Sequence, residues 1–161
     1  MTGLNLLSLN QMTKQSTTAH GGVSKRAVDG NPNPRWGYRS VTHTQSKQMN
    51  WWQVDLGKKY PVHLILVHSR YDGEGTLKRI NRAKVYLDTH LCGTILYIPR
   101  VSVYPINCGG LSGRVVKVTL SKQPLHLAEV MVYGVGQPFG GNGGVWAQQT
   151  GGMRLDDKSR F

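Results

Sequence analysis

The sequence predicts an all-β domain, an antiparallel β-sandwich, on three observations. Several short runs alternate apolar and polar residues, as half-buried strands do, and turn-forming residues separate them. No run has the apolar period of an amphipathic helix, and the 20 glycines and 7 prolines favour loops over helices. At 161 residues, the chain is long enough to bury a core as one domain.

The first half of the chain supplies an edge segment and two central strands. Residues 1–20 have no helical period and are predicted to lie extended at the domain edge. Residues 51–56 alternate, with three apolar side chains on one face, and read as a half-buried strand. Residues 62–67 are almost continuously apolar, which is typical of a strand covered on both sides. The inward side chains of the first strand are Trp52, Val54 and Leu56.

Four further strands are predicted at residues 82–87, 94–98, 114–120 and 128–133. Three of them alternate clearly, and their inward side chains are expected to be Ala83, Val85, Leu87, Val116, Val118, Leu120, Val130 and Val132. After Gly134 the composition becomes rich in glycine without a strand period. We therefore place a boundary between a domain at 1–134 and a tail at 135–161. The tail is expected to be irregular or to dock on a neighbour through Phe139, Trp146 and Phe161.

The formal charge of +12, from 20 Lys and Arg against 8 Asp and Glu, suits a polyanionic partner. Most of the cations are scattered singly, which favours a general affinity for polyanions over a dedicated nucleic-acid module. No apolar run reaches the eighteen or so residues that span a bilayer. The amino end lacks the basic start and long apolar segment of a secretory signal. Either a signal has been removed, or the protein is not secreted by that route.

Two stretches carry candidate functional groups. Residues 29–34 crowd turn-forming residues and oxygen-bearing side chains into an irregular loop, which suits a hard cation such as calcium. His43 precedes one central strand and Arg70 follows the other, so the two could meet at one end of the domain. Cys92 and Cys108 have neither metal-ligand partners nor CxxC spacing, which leaves a disulfide or two buried thiols.

The arrangement of His43, Arg70-Tyr71-Asp72 and the pair Lys78-Arg79 resembles the fucose-binding signature of the F-type lectins, or fucolectins. The resemblance extends over roughly residues 5–134. Its other landmarks, in family order, are Lys14-Gln15-Ser16-Thr17, Ala27-Val28-Asp29-Gly30-Asn31, Thr42-His43-Thr44, Trp51-Trp52-x-Val54-Asp55-Leu56 and Glu129-Val130-Met131-Val132-Tyr133-Gly134.

The resemblance implies a jelly-roll sandwich of the galactose-binding-domain type, with its binding loops at one end. It implies a calcium-dependent lectin for terminal α-L-fucose or a similar sugar, with fucosylated glycans or glycoproteins as partners. His43, Arg70 and Arg79 would donate hydrogen bonds to the sugar, and Asp72 would hold the Arg70 guanidinium. Lys78 is the alternative to Arg79, while Trp36, Tyr38 and Tyr71 are candidates for the apolar wall.

The resemblance also implies a Cys92–Cys108 disulfide, an extracellular location, and roles in adhesion or innate immunity. The calcium ligands would be carbonyls of Arg26, Asn31 and Ala128, with groups from Asp29, Ser40 and Glu129. The chain departs from the family between Asp72 and Arg79, where the loop is two residues longer. Gly73-Glu74-Gly75-Thr76 stands there in place of adjacent cysteines.

We expect no enzyme. Asp55, Asp72 and Glu74 are not fixed at the separation that glycoside hydrolysis needs. His43, Ser46 and Asp72 lack a nucleophile elbow. The alternative to a lectin is a structural or adhesive module with a vestigial sugar site. It would engage a protein or polyanion through its basic surface and tail, and it could form a homo-oligomer.

Overall fold

Two long antiparallel strands organise the fold in a computed structural model that describes residues 3–140. The strands are β1 (Asn5–Leu6), β2 (Met12–Gln15), β3 (Met49–Ser69), β4 (Lys84–Leu87), β5 (His90–Thr94), β6 (Val103–Ser121) and β7 (Leu127–Gly134). One helical turn, α1 (Glu74–Leu77), and three 3-10 helices at Ser24–Val28, Trp36–Tyr38 and Lys78–Ile80 lie in the connections. Within the described residues, no helix is long and apolar enough to cross a membrane.

β3 and β6 pair from Met49 opposite Ser121 to His68 opposite Val103, with register breaks after Asp55 and Val62. The first part of β3 also pairs with β2, and its second part with β7. The strands follow the order β1-β7-β3-β6-β4-β5. Side chains from both halves of β3 belong to the same core cluster. The prediction of an antiparallel β-sandwich is confirmed.

The alternating pattern located the core correctly. Every side chain predicted to point inward from the strands at 51–56, 82–87, 114–120 and 128–133 is buried. The two central strands at 51–56 and 62–67 are one continuous strand, β3. The 62–67 prediction was wrong in one respect, because His63, Leu64 and Leu66 are half-buried rather than covered. Only one face of β3 packs on the core, although strands flank both of its edges.

The strand predicted at 94–98 is wrong, since the strand in this part of the chain is β5 at His90–Thr94. β4 and β5 form a tight hairpin in which Leu87 pairs with His90, and Asp88 adopts a positive φ of 52° in the turn. The hairpin therefore places the strand at His90–Thr94, just before most of the predicted strand at 94–98. β5 ends at Thr94, and the amide of the next residue, Ile95, donates to the carbonyl of Ala83.

The predicted disulfide joins Cys92 in β5 to Cys108 in β6. The first residues of the predicted tail lie against the sandwich. Tyr60 donates from its hydroxyl to the carbonyl of Gln137 at 2.7 Å, and Gln11 donates to the carbonyl of Phe139 at 2.9 Å. A Cβ at Gly57 would come within 2.3 Å of the Phe139 ring, so glycine permits this contact. Trp146 and Phe161 lie outside the described residues.

Candidate functional site

Two threonines hold the loop that carries His43 against the start of β7. The hydroxyl of Thr42 accepts from the amide of Leu127 at 3.0 Å, and the hydroxyl of Thr44 accepts from the amide of Leu125 at 2.9 Å. The threonine amides donate back to the carbonyls of the same two leucines. Both threonines are fully buried, so the connection is shielded from water. The residue between the threonines is thereby fixed in position.

His43 faces His126, which lies between the two clamped leucines. Their ring centroids are 4.1 Å apart, and the ring of His20 lies 4.8 Å from that of His43. The amide of His43 donates to the carbonyl of Gly22 at 2.9 Å. A Cβ at Gly22 would lie 2.6 Å from the Cβ of His43, so this approach requires glycine. Sequence analysis did not identify His20 or His126 as site residues.

Arg70 follows β3 directly and meets the loop that carries Trp36. Its Nε donates to Asp72 at 2.6 Å, and its guanidinium lies 5.3 Å from the centroid of the Trp36 ring. Asp72 also accepts from the amide of Trp36, at 3.2 and 3.3 Å from its two oxygens. The Trp36 ring in turn lies edge-on to His43 at 5.3 Å. The carboxylate of Asp72 therefore orients both the arginine and the tryptophan, in line with its predicted holding role.

The site has a strongly positive character. Burial lowers the pKa of His43, and the charges of His20, Arg70 and Arg79 lower it further. Burial, followed by the charge of His43, lowers the pKa of His126 to about 2. Neither ring nitrogen of His126 has a hydrogen-bond partner within residues 3–140. The charge of Arg79 also lowers the pKa of both histidines, although no hydrogen bond or ring contact joins its side chain to them in residues 3–140.

The contact of His43 with its own loop fixes which ring nitrogen is protonated. Its Nδ1 lies 2.7 Å from the carbonyl oxygen of Thr44, which can only accept. Nδ1 therefore carries the proton, and because the pKa is lowered, the ring is neutral near pH 7. The Nε2 lone pair is then an acceptor for a ligand hydroxyl. This differs from the donor role that the family resemblance implies for His43.

The lengthened loop after Asp72 is held by Glu74. Its carboxylate accepts from the hydroxyl of Tyr71 at 2.6 Å, from the hydroxyl of Tyr97, and from the amide of Arg100 at 3.1 Å. Hydrogen bonds from Tyr71 and then Tyr97 lower the pKa of Glu74, and the bond to Glu74 raises the pKa of Tyr97 to about 12. Polar bonds thus hold the loop in which the resemblance leads us to expect adjacent cysteines.

Not every predicted sugar-site residue contacts this cluster. The hydroxyl of Tyr71 is engaged by Glu74, and the side chain of Tyr38 is 64% exposed. Lys78 is exposed and lines a neighbouring groove together with Arg79. The assignments of these three residues to the sugar site stay predictions.

A second polar site lies at the other end of the same loop. Glu129 is 2% exposed, and its Oε2 accepts from the amide of Gly30 at 2.8 Å. Its Oε1 has no hydrogen-bond partner within the described part of the chain. Burial raises the pKa of Glu129 to about 7, and the neighbouring negative charge of Asp29 contributes to the increase. A buried carboxylate with an unused oxygen beside a second carboxylate fits a hard cation.

Several of the predicted metal residues already make hydrogen bonds to other residues. Asp29 accepts from the amide of Asn31 at 2.9 Å, and Ser40 donates to the carbonyl of Asn33 at 2.6 Å. A guanidinium nitrogen of Arg26 donates to the carbonyl of Val41. No group of three or more His, Cys, Asp or Glu side chains in residues 3–140 could hold a metal ion. A cation at Glu129 would therefore need carbonyl or water ligands besides the two carboxylates.

The chain matches one domain family, described as NedA-like, galactose-binding domain, over residues 26–118. Among curated proteins, Fucolectin-3 of Anguilla japonica is 30% identical over 120 residues, which are 68% of this chain and 65% of that protein. The pentraxin fusion protein of Xenopus laevis is 29% identical over 121 residues, again 68% of this chain. This chain spans only 29% of the length of that protein.

Solved structures agree with the sequence matches. The lectin-binding domain of lectinolysin, solved as a histidine mutant complexed with Lewis b, is 33% identical, with a TM-score of 0.75. The match covers 82% of this chain and 97% of that one. The fucose-binding module SpX-3 of Streptococcus pneumoniae is 31% identical, with a TM-score of 0.73, and covers 83% and 100% of the two chains.

Proposed function

The chain belongs to the F-type lectin (fucolectin) family, and from that premise we propose that it binds terminal α-L-fucose at His43, Arg70 and Arg79. The observation that carries the proposal is the orientation of Arg70. Its Nε is held by Asp72 and its plane lies over Trp36, while its terminal nitrogens have no hydrogen-bond partner in the described residues. These N–H groups are available to donate to sugar hydroxyls.

The cluster offers the mixture of donors and acceptors that a pyranose needs. Arg70 and Arg79 donate, and the unprotonated Nε2 of His43 accepts. Trp36 supplies the apolar surface on which the bare face or methyl group of fucose packs. The family match supports a binding domain rather than an enzyme, because the matched relatives are lectins and binding modules. The comparison with these relatives confirms the prediction that the chain is not an enzyme.

We further propose that calcium binds between Asp29 and Glu129, with oxygen ligands from Arg26, Asn31, Ser40 and Ala128. Support comes from the unused, buried oxygen of Glu129 and from its close contact with a second carboxylate. A bound cation would favour the ionised form of both. Because the same loop continues to His43, an ordered cation site would also help to hold the sugar site.

The proposed partners are fucosylated glycans, and the proposed location is extracellular, as suits a domain that resembles fucolectins and resembles an F-lectin from striped bass serum. Roles in adhesion or innate immunity belong to the same proposal. The chain spans about two thirds or less of the first curated relatives, so the activity of any longer protein that contains it is part of the proposal as well.

Calorimetric titration with methyl α-L-fucoside in the presence of calcium tests the sugar site, with galactose and mannose as controls. We expect saturable binding of fucose with clear discrimination against mannose. No heat of binding up to tens of millimolar fucoside, with a folded protein and calcium present, would refute the proposal.

A further inference from the structure

Beside the sugar cluster lies a groove that shares only Arg79 with the proposed fucose site. It has a volume of about 660 Å³, within the range of ligand clefts in proteins. We call it the basic groove, and define it by its lining residues: Gly75, Lys78, Arg79, Asn81, Arg82, Lys84, Thr94, Leu96, Leu120, Ser121 and Gln123. Four of these side chains are cationic and none is acidic.

The four cations of the basic groove are uncompensated. The two ion pairs found in residues 3–140 join Arg70 to Asp72 and Arg114 to Asp55, and neither involves the groove. No side-chain hydrogen bond joins Lys78, Arg82 or Lys84 to another described residue. Four like charges that converge without an internal partner favour an anionic ligand.

The rest of the groove suits a sugar better than a bare anion. Leu96 is 67% exposed and supplies an apolar surface to the groove. Asn81, Thr94 and Gln123 supply neutral polar groups for hydroxyls. The side-chain oxygen of Asn81 accepts from the amide of Tyr97 at 2.9 Å. The NH₂ group of Asn81 is not used in this bond.

Arg79 lines the basic groove and is also one of the proposed sugar-binding residues. The groove residue Gln123 lies two residues before Leu125, whose amide donates to the hydroxyl of Thr44 beside His43. A ligand in the groove is therefore adjacent to a sugar at the cluster of His43 and Arg70. We propose that the basic groove is a second subsite for an acidic sugar residue, sulfated or carboxylated, in the same glycan as the fucose. This inference rests on the proposed fucose site.

The test compares affinities for a neutral fucosylated oligosaccharide and for its sulfated and sialylated counterparts, at about 150 mM salt to screen distant charges. We expect at least one acidic counterpart to bind about tenfold more tightly, as gain of a charge-assisted hydrogen bond predicts. The better of the two acidic ligands identifies the source of the negative charge.

The groove variant is Arg82→Gln combined with Lys84→Gln, which removes two charges outside the fucose cluster. The matched control is Lys58→Gln combined with Lys59→Gln, at the register break of β3 and outside the residues that line the groove. We expect the groove variant to lose the preference for the acidic glycan while its affinity for methyl fucoside is unchanged. The control variant should keep both properties.

Each alternative outcome overturns the inference and separates it from the fucose proposal. Equal affinity for neutral and acidic glycans, with fucose bound normally, refutes the groove alone. Equal loss in the control variant, or displacement of the acidic glycan by a DNA oligonucleotide of similar charge, indicates general polyanion binding instead. Acidic glycan bound without any fucose affinity refutes the linked subsite together with the proposed function.

Discussion

The loop between Arg26 and His43 connects two sites of opposite charge. At its far end, His43 and His126 have lowered pKa values, and the positive charge of that site comes from Arg70 and Arg79. At its near end Asp29 and Glu129 concentrate negative charge.

Each site contains a buried group that has no hydrogen-bond partner among residues 3–140. These are the ring nitrogens of His126 and the Oε1 of Glu129. Unpaired buried polar atoms are costly in free energy, so a ligand that pairs them is the natural compensation. If both proposals hold, one loop serves a neutral sugar at one end and a cation at the other, through groups of opposite charge.

The largest expected effect is at the positive site. Arg70→Ala should weaken fucose binding by about tenfold to a hundredfold, because hydrogen bonds from charged groups contribute about 1.5–3 kcal/mol. Titration of methyl fucoside measures the change. The control is Arg114→Ala, which removes the other ion pair of the described residues, at an exposed position. If both variants lose affinity equally, the assignment of Arg70 is wrong.

At the negative site, chelation of calcium should lower the melting temperature by several degrees. Calcium at a hundredfold excess over its dissociation constant stabilises the folded state by about 2.7 kcal/mol. Glu129→Gln should abolish this response, whereas Glu74→Gln, at a carboxylate bound by two tyrosines, should keep it. A wild-type melting curve that is unchanged by chelator, with no metal in the purified protein, would refute the proposed calcium site.

How far the sequence predicts these two sites can be judged from single residues. Alternation in the strands predicted the core, because burial on one face imposes it. Family spacing led to His43, Arg70 and Asp72. Family spacing missed His126, because a lone histidine before a strand has no local pattern. The hydrogen bonds of Thr42 and Thr44 to Leu127 and Leu125 bring His126 to His43.

The positions of β5 and Glu74 were also beyond the sequence pattern. The hairpin turn at Asp88 decides where β5 begins, and the tyrosine partners of Glu74 come from segments 3 and 23 residues away. Both depend on contacts between segments rather than on periodicity.

The two sites should respond to protons with opposite sign. His126 has a folded pKa of about 2 against an ordinary value of 6.5, so the unfolded chain binds more protons and stability falls as the pH drops below 6.5. Glu129 has a folded pKa of about 7 against 4.5, so without calcium its contribution is present below 4.5 and is lost as the pH rises through 7. Each effect is at most about 1.4 kcal/mol per pH unit.

Urea unfolding in chelator at pH 7 and pH 5.5 measures this difference. On acidification Glu129→Gln should lose more stability than the wild-type protein, and His126→Gln should lose less. If the two variants shift in the same direction, the opposite character of the two sites is not supported.

A smaller effect on fucose binding is expected from the hydrogen bond between Tyr71 and Glu74, which lies next to the sugar site. Tyr71→Phe removes one hydrogen bond to Glu74 and should weaken fucose binding by less than about tenfold, since such a bond contributes about 0.5–1.5 kcal/mol. Tyr133→Phe serves as the control, because in the described part of the chain the Tyr133 hydroxyl bonds only to the sulfur of Met131. A loss as large as that of Arg70→Ala would instead place Tyr71 in direct contact with the sugar.

The most direct measurement is a crystal structure of the protein with methyl α-L-fucoside and calcium. We expect the sugar within hydrogen-bond distance of His43 Nε2 and the terminal nitrogens of Arg70, packed on Trp36, and a cation bound by Asp29 and Glu129. A well-ordered sugar bound elsewhere, with Arg70 still engaged only by Asp72, would contradict the central claim.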